Sequence, residues 1–141
     1  MKRFTAVPFT TESESGLLSS SGVAKFSRAG IVLEFEKKIL GLISRGVKEI
    51  RLSVGEILDV KFRRGFLKFG SQIEIRVHSY ESLFKMPNHG GLVKLKIVRN
   101  DFERARDAVE RMQDHLSGKS QNLRPHNSRV SVLFDQSEEE T

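Results

Sequence analysis

Four histidines, His78, His89, His115 and His126, are the first side chains to test for chemistry. A metal needs ligands at fixed spacing on one element, and no His-x-x-x-His or Glu-x-x-His unit occurs, so no metal site is expected. Cysteine is absent, which removes disulfides and thiolate metal sites and fits a reducing, cytoplasmic setting. Ser19-Ser20-Ser21-Gly22 reads as a serine-rich loop and not as a strand-to-helix nucleophile elbow. No glycine-rich phosphate loop leads into a helix. Carboxylates mostly alternate with Lys and Arg, so none is isolated in an apolar setting that would tune its pKa. The expectation is a protein that is not an enzyme and carries no cofactor.

Binding chemistry has more to use. Lys61, Arg63, Arg64 and Lys68 straddle Gly65, with Phe62, Phe66 and Phe69 interleaved. In one reading Phe62 is core, Phe66 or Phe69 covers a sheet edge, and the charges are simply solvated. In a second the cluster meets an anionic lipid surface or another anionic ligand. In a third it binds single-stranded nucleic acid, with phosphate contacts and base stacking. Lys37, Lys38 and Arg45 complete the candidate anion-binding set. Two further segments are candidates for protein interaction. Residues 79–91 form a long connection carrying Tyr80, Leu83, Phe84 and Met86, which either caps the open end of a sheet or docks a partner. Val130-Ser-Val-Leu-Phe-Asp is a β-prone island that is either a stray apolar cluster in a disordered tail or a strand whose Val130, Val132 and Phe134 add to a sheet edge in this chain or another.

The charge is unevenly spread. Residues 22–99 hold 16 basic and 7 acidic side chains, an excess of nine in a chain whose net charge is +6. Such an excess attracts anionic lipid, nucleic acid or an acidic protein, unless Lys and Arg merely line solvent faces and blunt strand edges.

Those residues must be positioned by strands. Ile31, Leu33 and Phe35 alternate with Glu34 and Glu36, and Ile50 with Leu52 repeats the pattern. Leu58, Val60 and Phe62 form a third inward stripe. Ile73, Ile75, Val77 and then Val93, Leu95, Ile97 form two more. Phe4–Phe9 and Val23–Phe26 are weaker strands, with Pro8 suited to an edge or strand end. Short glycine-marked connections imply antiparallel neighbours. From residue 100 the period becomes helical: Phe102, Ala105, Val109, Met112 and Leu116 share a face. Asn100 with Glu103 forms a capping-box pattern, and Gly118 marks the stop. The expected fold class is therefore α+β, mainly β, with one amphipathic helix over residues 100–117 closing a sheet. The expected domain is 1–118, followed by a flexible tail over 119–141 with the β-prone segment at 130–135. Nothing in the chain is an apolar run of signal-peptide or membrane-spanning length.

The sequence resembles small bacterial pleckstrin-homology-like proteins over about residues 4–117. The resemblance rests on Val7-Pro-Phe, Gly30-Ile-Val-Leu-Glu-Phe-Glu, Gly46-Val-Lys-Glu-Ile-Arg-Leu-Ser-Val-Gly-Glu-Ile-Leu-Asp-Val with Arg64-Gly, Gly90-Gly-Leu-Val-Lys-Leu-Lys-Ile, and Arg99-Asn-Asp-Phe-Glu-Arg-Ala. It implies two orthogonally packed antiparallel sheets, or a barrel, plugged at one end by the helix. Headgroup-binding relatives use a Lys and Arg pattern near the first hairpin loop; here the apolar Ile39-Leu-Gly-Leu-Ile lies between Lys37, Lys38 and Arg45, a departure from it. The functional expectation is a non-catalytic module that binds protein, including a second copy of itself. The alternatives are an anionic membrane surface and single-stranded nucleic acid.

Overall fold

The computed structural model describes residues 4–13, 16–39, 42–43, 46–78, 83 and 90–123, with backbone alone at 43 and 119–123. Eight strands follow in chain order: β1 Thr5–Glu12, β2 Leu18–Ser27, β3 Gly30–Ile39, β4 Leu42–Ile43, β5 Lys48–Ser53, β6 Ile57–Arg63, β7 Ser71–Val77 and β8 Leu92–Ile97. Among the described residues one α-helix, α1, spans Phe102–Leu123. All pairings are antiparallel, in the order β4-β3-β2-β1-β8-β7-β6, with β5 beside β3. The fold is the mainly-β α+β arrangement expected, consistent with a pleckstrin-homology-like fold, although the barrel is not closed. Among the described residues the ends that do not meet are β6 on one side and β4 with β5, which share the outer edge of β3, on the other.

Alternation builds the core as the stripes predict. Ile31, Leu33, Phe35, Ile50, Leu52, Ile73, Ile75, Val77, Val93, Leu95 and Ile97 are all buried, and Phe102, Ala105, Ala108, Val109 and Met112 bring the apolar face of α1 onto them. The helix runs beside β6, which it covers. Gln113 Nε2 donates to the Val60 carbonyl at 2.8 Å, tying the helix to the edge strand. Phe62 meets Phe102 edge to face, with ring centroids 5.0 Å apart.

Several expectations needed correction. The serines of 19–21 and Gly22 are not a loop but lie inside β2, a ten-residue strand. Their weak apolar pattern hides a strand in which Gly22 lies in register between Phe9 and Phe35, with the β3 backbone occupying the place of its missing side chain. A Cβ on Gly22 would stand 1.9 Å from the Glu34 carbonyl oxygen, so only glycine fits. Phe4–Phe9 is likewise part of a full strand; Pro8 is tolerated because β1 meets β8 in register only at Thr10. Leu58 is exposed, not inward, since a register shift between Ile57 and Asp59 turns Ile57 to the core in its place. The helix begins after a 3-10 turn at Arg99–Asp101, so Asn100 is no N-cap, and it continues through Gly118 to Leu123. Glycine costs about 1 kcal/mol in a helix, which flanking turns outweigh.

Candidate functional site

β6 and β7 are joined by an unusual turn. Residues 65–70 read Gly-Phe-Leu-Lys-Phe-Gly, without the Asn, Asp or Pro that ordinarily shape such connections. Leu67 and Lys68 both adopt positive φ, 48° and 73°. L-residues are disfavoured there by about 1–2 kcal/mol, so the surroundings must hold them. Ser71 does so. Its buried Oγ accepts from the Gly65 N–H at 2.9 Å and donates to the Lys68 carbonyl at 3.2 Å. The Phe69 N–H closes onto the Phe66 carbonyl at 2.8 Å. Gly65 is required sterically and not for its φ of −87°: a Cβ there would lie 1.6 Å from the Phe69 carbonyl oxygen.

The locked turn displays apolar side chains to solvent. Phe66 is 83% exposed, Leu67 65% and Phe69 60%. Edge-covering by Phe66 or Phe69 is thereby overturned, while Phe62 is half-buried against the core. A contiguous group of this kind is uncommon on a protein surface without a use. Cations surround it. Arg99 lies over the Phe69 ring at 5.3 Å, and Lys68, Arg64 and Arg106 lie 5.1, 5.5 and 5.9 Å from the Phe102 centroid.

Beside the turn, a groove of about 460 Å³ opens between β6 and α1, lined by Lys61, Phe62, Arg63, Arg64 and Gln113. Three candidate cations therefore share one surface. They are not equally free. Arg63 Nε is tied to Glu74 Oε2 at 3.0 Å, Lys61 reaches Asp59 only at 3.8 Å, and Arg64 meets no carboxylate among the described residues. The strand registers extend the basic face, aligning Lys94, Glu74 and Lys61 in one row and Lys96, Gln72 and Arg63 in the next. Glu103 ties Lys68 and Arg106 together, and its carboxyl is held below the usual value chiefly by the hydrogen bond from Lys68.

The other candidates lie elsewhere or nowhere described. Lys37 and Lys38 sit at the far end of β3, opposite Ser20 and Ser19, and join none of the above. Leu83 is fully buried in the core cluster and offers no docking surface; apolar burial, not partner binding, accounts for it. Arg45, Tyr80, Phe84, Met86, Val130, Val132 and Phe134 lie outside the described residues. Arg99, Phe102 and Arg106 escaped sequence reasoning because they are some 30 to 40 positions from the turn they surround. The turn itself carried a signal: three large apolar residues between two glycines, in a place where polar residues are the rule.

Compared with known proteins, the chain matches no family model and no curated protein. Among the described residues no helix is long and apolar enough to cross a membrane, and no group of three acidic or histidine side chains is placed to share a metal.

Proposed function

We propose that this domain is a non-catalytic interaction module that docks peripherally on an anionic membrane surface through its β6–β7 turn. One observation carries the reading: Phe66, Leu67 and Phe69 are held out into solvent by a hydrogen-bonded turn that keeps two residues at positive φ. Aromatic and leucine side chains at such a tip enter the headgroup and upper acyl region, while Lys and Arg around them meet anionic lipid at about 1 kcal/mol each. Arg64, Lys68, Arg99 and Arg106 stand in that second position. The pleckstrin-homology-like resemblance is compatible with this role but does not supply it, because such folds serve many partners.

Co-sedimentation with vesicles tests it. Phosphatidylcholine vesicles containing phosphatidylserine should retain the protein in a salt-sensitive way, and pure phosphatidylcholine should retain much less. The double variant Phe66→Ser, Phe69→Ser should abolish retention while leaving thermal stability unchanged. Absence of binding, or binding indifferent to the double variant, rejects the proposal. Salt-sensitive retention on an oligonucleotide without vesicle binding would point to single-stranded nucleic acid instead.

A second reading, docking of protein or of a second copy, is favoured by β5. Among the described residues that strand pairs only with β3, leaving the other edge of Lys48–Ser53 for an extended segment such as Val130–Phe134. Light scattering that finds a monomer at all concentrations, together with crosslinking that captures no partner, would remove it.

A further inference from the structure

Three cations converge on one ring where α1 begins. Phe102 is buried, 3% exposed, and its ring is roofed by Lys68 Nζ, the Arg64 guanidinium and the Arg106 guanidinium. They come from the β6–β7 turn, the end of β6 and the helix, so only folding brings them together. One carboxylate lies among them. Glu103 places Oε1 3.0 Å from Lys68 Nζ and Oε2 3.1 Å from Arg106 Nη2, while Asp107 reaches Arg106 only at 3.6 Å. Two oxygens of one anion spanning two cations is how an oxyanion ligand would be gripped. A guanidinium over an aromatic face uses its π surface and leaves in-plane N–H donors available for forked contacts. Arg64 has no carboxylate to occupy those donors among the described residues.

We infer that the Lys68–Arg106–Arg64 cluster over Phe102 is a seat for a phosphate group, in which the Glu103 carboxylate stands as an internal stand-in until a phosphate displaces it. This rests on the membrane-docking reading and refines it: the phosphate at a bilayer is a lipid headgroup's, and free phosphate is the other source. A phosphate offers three terminal oxygens and up to two negative charges where Glu103 offers two oxygens and one. The Glu103 side chain is on the solvent face of the helix, 56% exposed, and can swing away without disturbing the core.

The test uses the full chain and two vesicle sets matched in measured surface charge, one carrying phosphatidic acid, whose phosphate is a terminal monoester, and one carrying phosphatidylserine. Wild type should bind the phosphatidic acid set more tightly. Arg106→Gln should reduce that preference about fivefold, and Glu103→Gln should raise affinity for the same set about fivefold, the effect of one charge at an anionic surface. Equal affinity for both sets, or a preference unmoved by both variants, overturns the phosphate seat while leaving turn-driven binding intact. If neither set binds, the docking reading itself has failed. Titration of the protein with inorganic phosphate by NMR then decides: shifts at the Arg64 and Arg106 Nε–H signals, lost in Arg106→Gln, support the seat, and their absence rejects it. Glu103 is exposed and Arg106 half-buried, so retention of the wild-type pattern of backbone amide NMR signals away from the cluster serves as the folding control.

Discussion

Leu67 stands at φ 48° and ψ 36°, a conformation that asparagine adopts more readily than any branched apolar residue. Its side chain is 65% exposed, so replacing it sacrifices little packing. Leu67→Asn should therefore relieve about 1 kcal/mol of backbone strain, raising the unfolding midpoint by about 3 °C for a chain of this size. The same change removes the central apolar residue of the tip. Burying a leucine contributes about 1.5–3 kcal/mol, and scaling by the exposed fraction leaves about 1–2 kcal/mol for insertion. At 1.4 kcal/mol per decade that is roughly a 5- to 30-fold loss of vesicle affinity. Differential scanning calorimetry and vesicle co-sedimentation read the two effects on one sample. A stabilised variant with weakened binding is the signature of strain kept for function. A destabilised variant, or one that binds vesicles like wild type, would refute the reasoning.

Four further predictions follow from individual contacts. Ser71→Ala removes the acceptor of the half-buried Gly65 N–H and should cost about 1 kcal/mol in denaturant unfolding, with faster hydrogen exchange confined to residues 65–70. Gly22→Ala forces a Cβ against the Glu34 carbonyl and should cost about 3 kcal/mol or more, enough to see as low soluble yield. Thr11 Oγ1 and Ser20 Oγ are buried at paired positions and meet no hydrogen-bond partner among the described residues, so Thr11→Val with Ser20→Ala should stabilise by about 1 kcal/mol, measured by urea titration. The Glu103 carboxyl titrates below its ordinary 4.5, so its stabilising contribution is present above that pH and is lost as pH falls through the lowered value. The stability profile of Glu103→Gln, followed by thermal unfolding, should accordingly fall less steeply than wild type below pH 4.5.

Much of the sheet was legible along the chain because one-sided burial imposes a two-residue period. Ile73-Glu-Ile-Arg-Val and Val93-Lys-Leu-Lys-Ile announce their inward faces without any tertiary knowledge. The amphipathic helix was legible for the same kind of reason, from Phe102 to Leu116. Alternation fails where the burial of a strand is decided by its neighbours. Serines 19–21 look like a loop, yet they pair with Thr10–Glu12 on one side and with Glu36–Lys38 on the other. Leu58 keeps the period perfectly and still points to solvent, because one slipped residue reverses every side chain before it.

The basic and aromatic run around Gly65 was visible as a composition, but its meaning was not. Local sequence determined that four cations and three phenylalanines lie close together at the end of β6 and in the turn after it, since neighbours in the chain cannot be far apart. Tertiary structure decided that Phe62 turns inward while Phe66 and Phe69 do not, because only the packing of α1 on β6 provides a buried partner, Phe102, and it provides one place. It also decided that Arg99, Glu103 and Arg106 join the cluster, since the register of a helix against a sheet edge is set by burial of its apolar face, and its charges go where that face carries them.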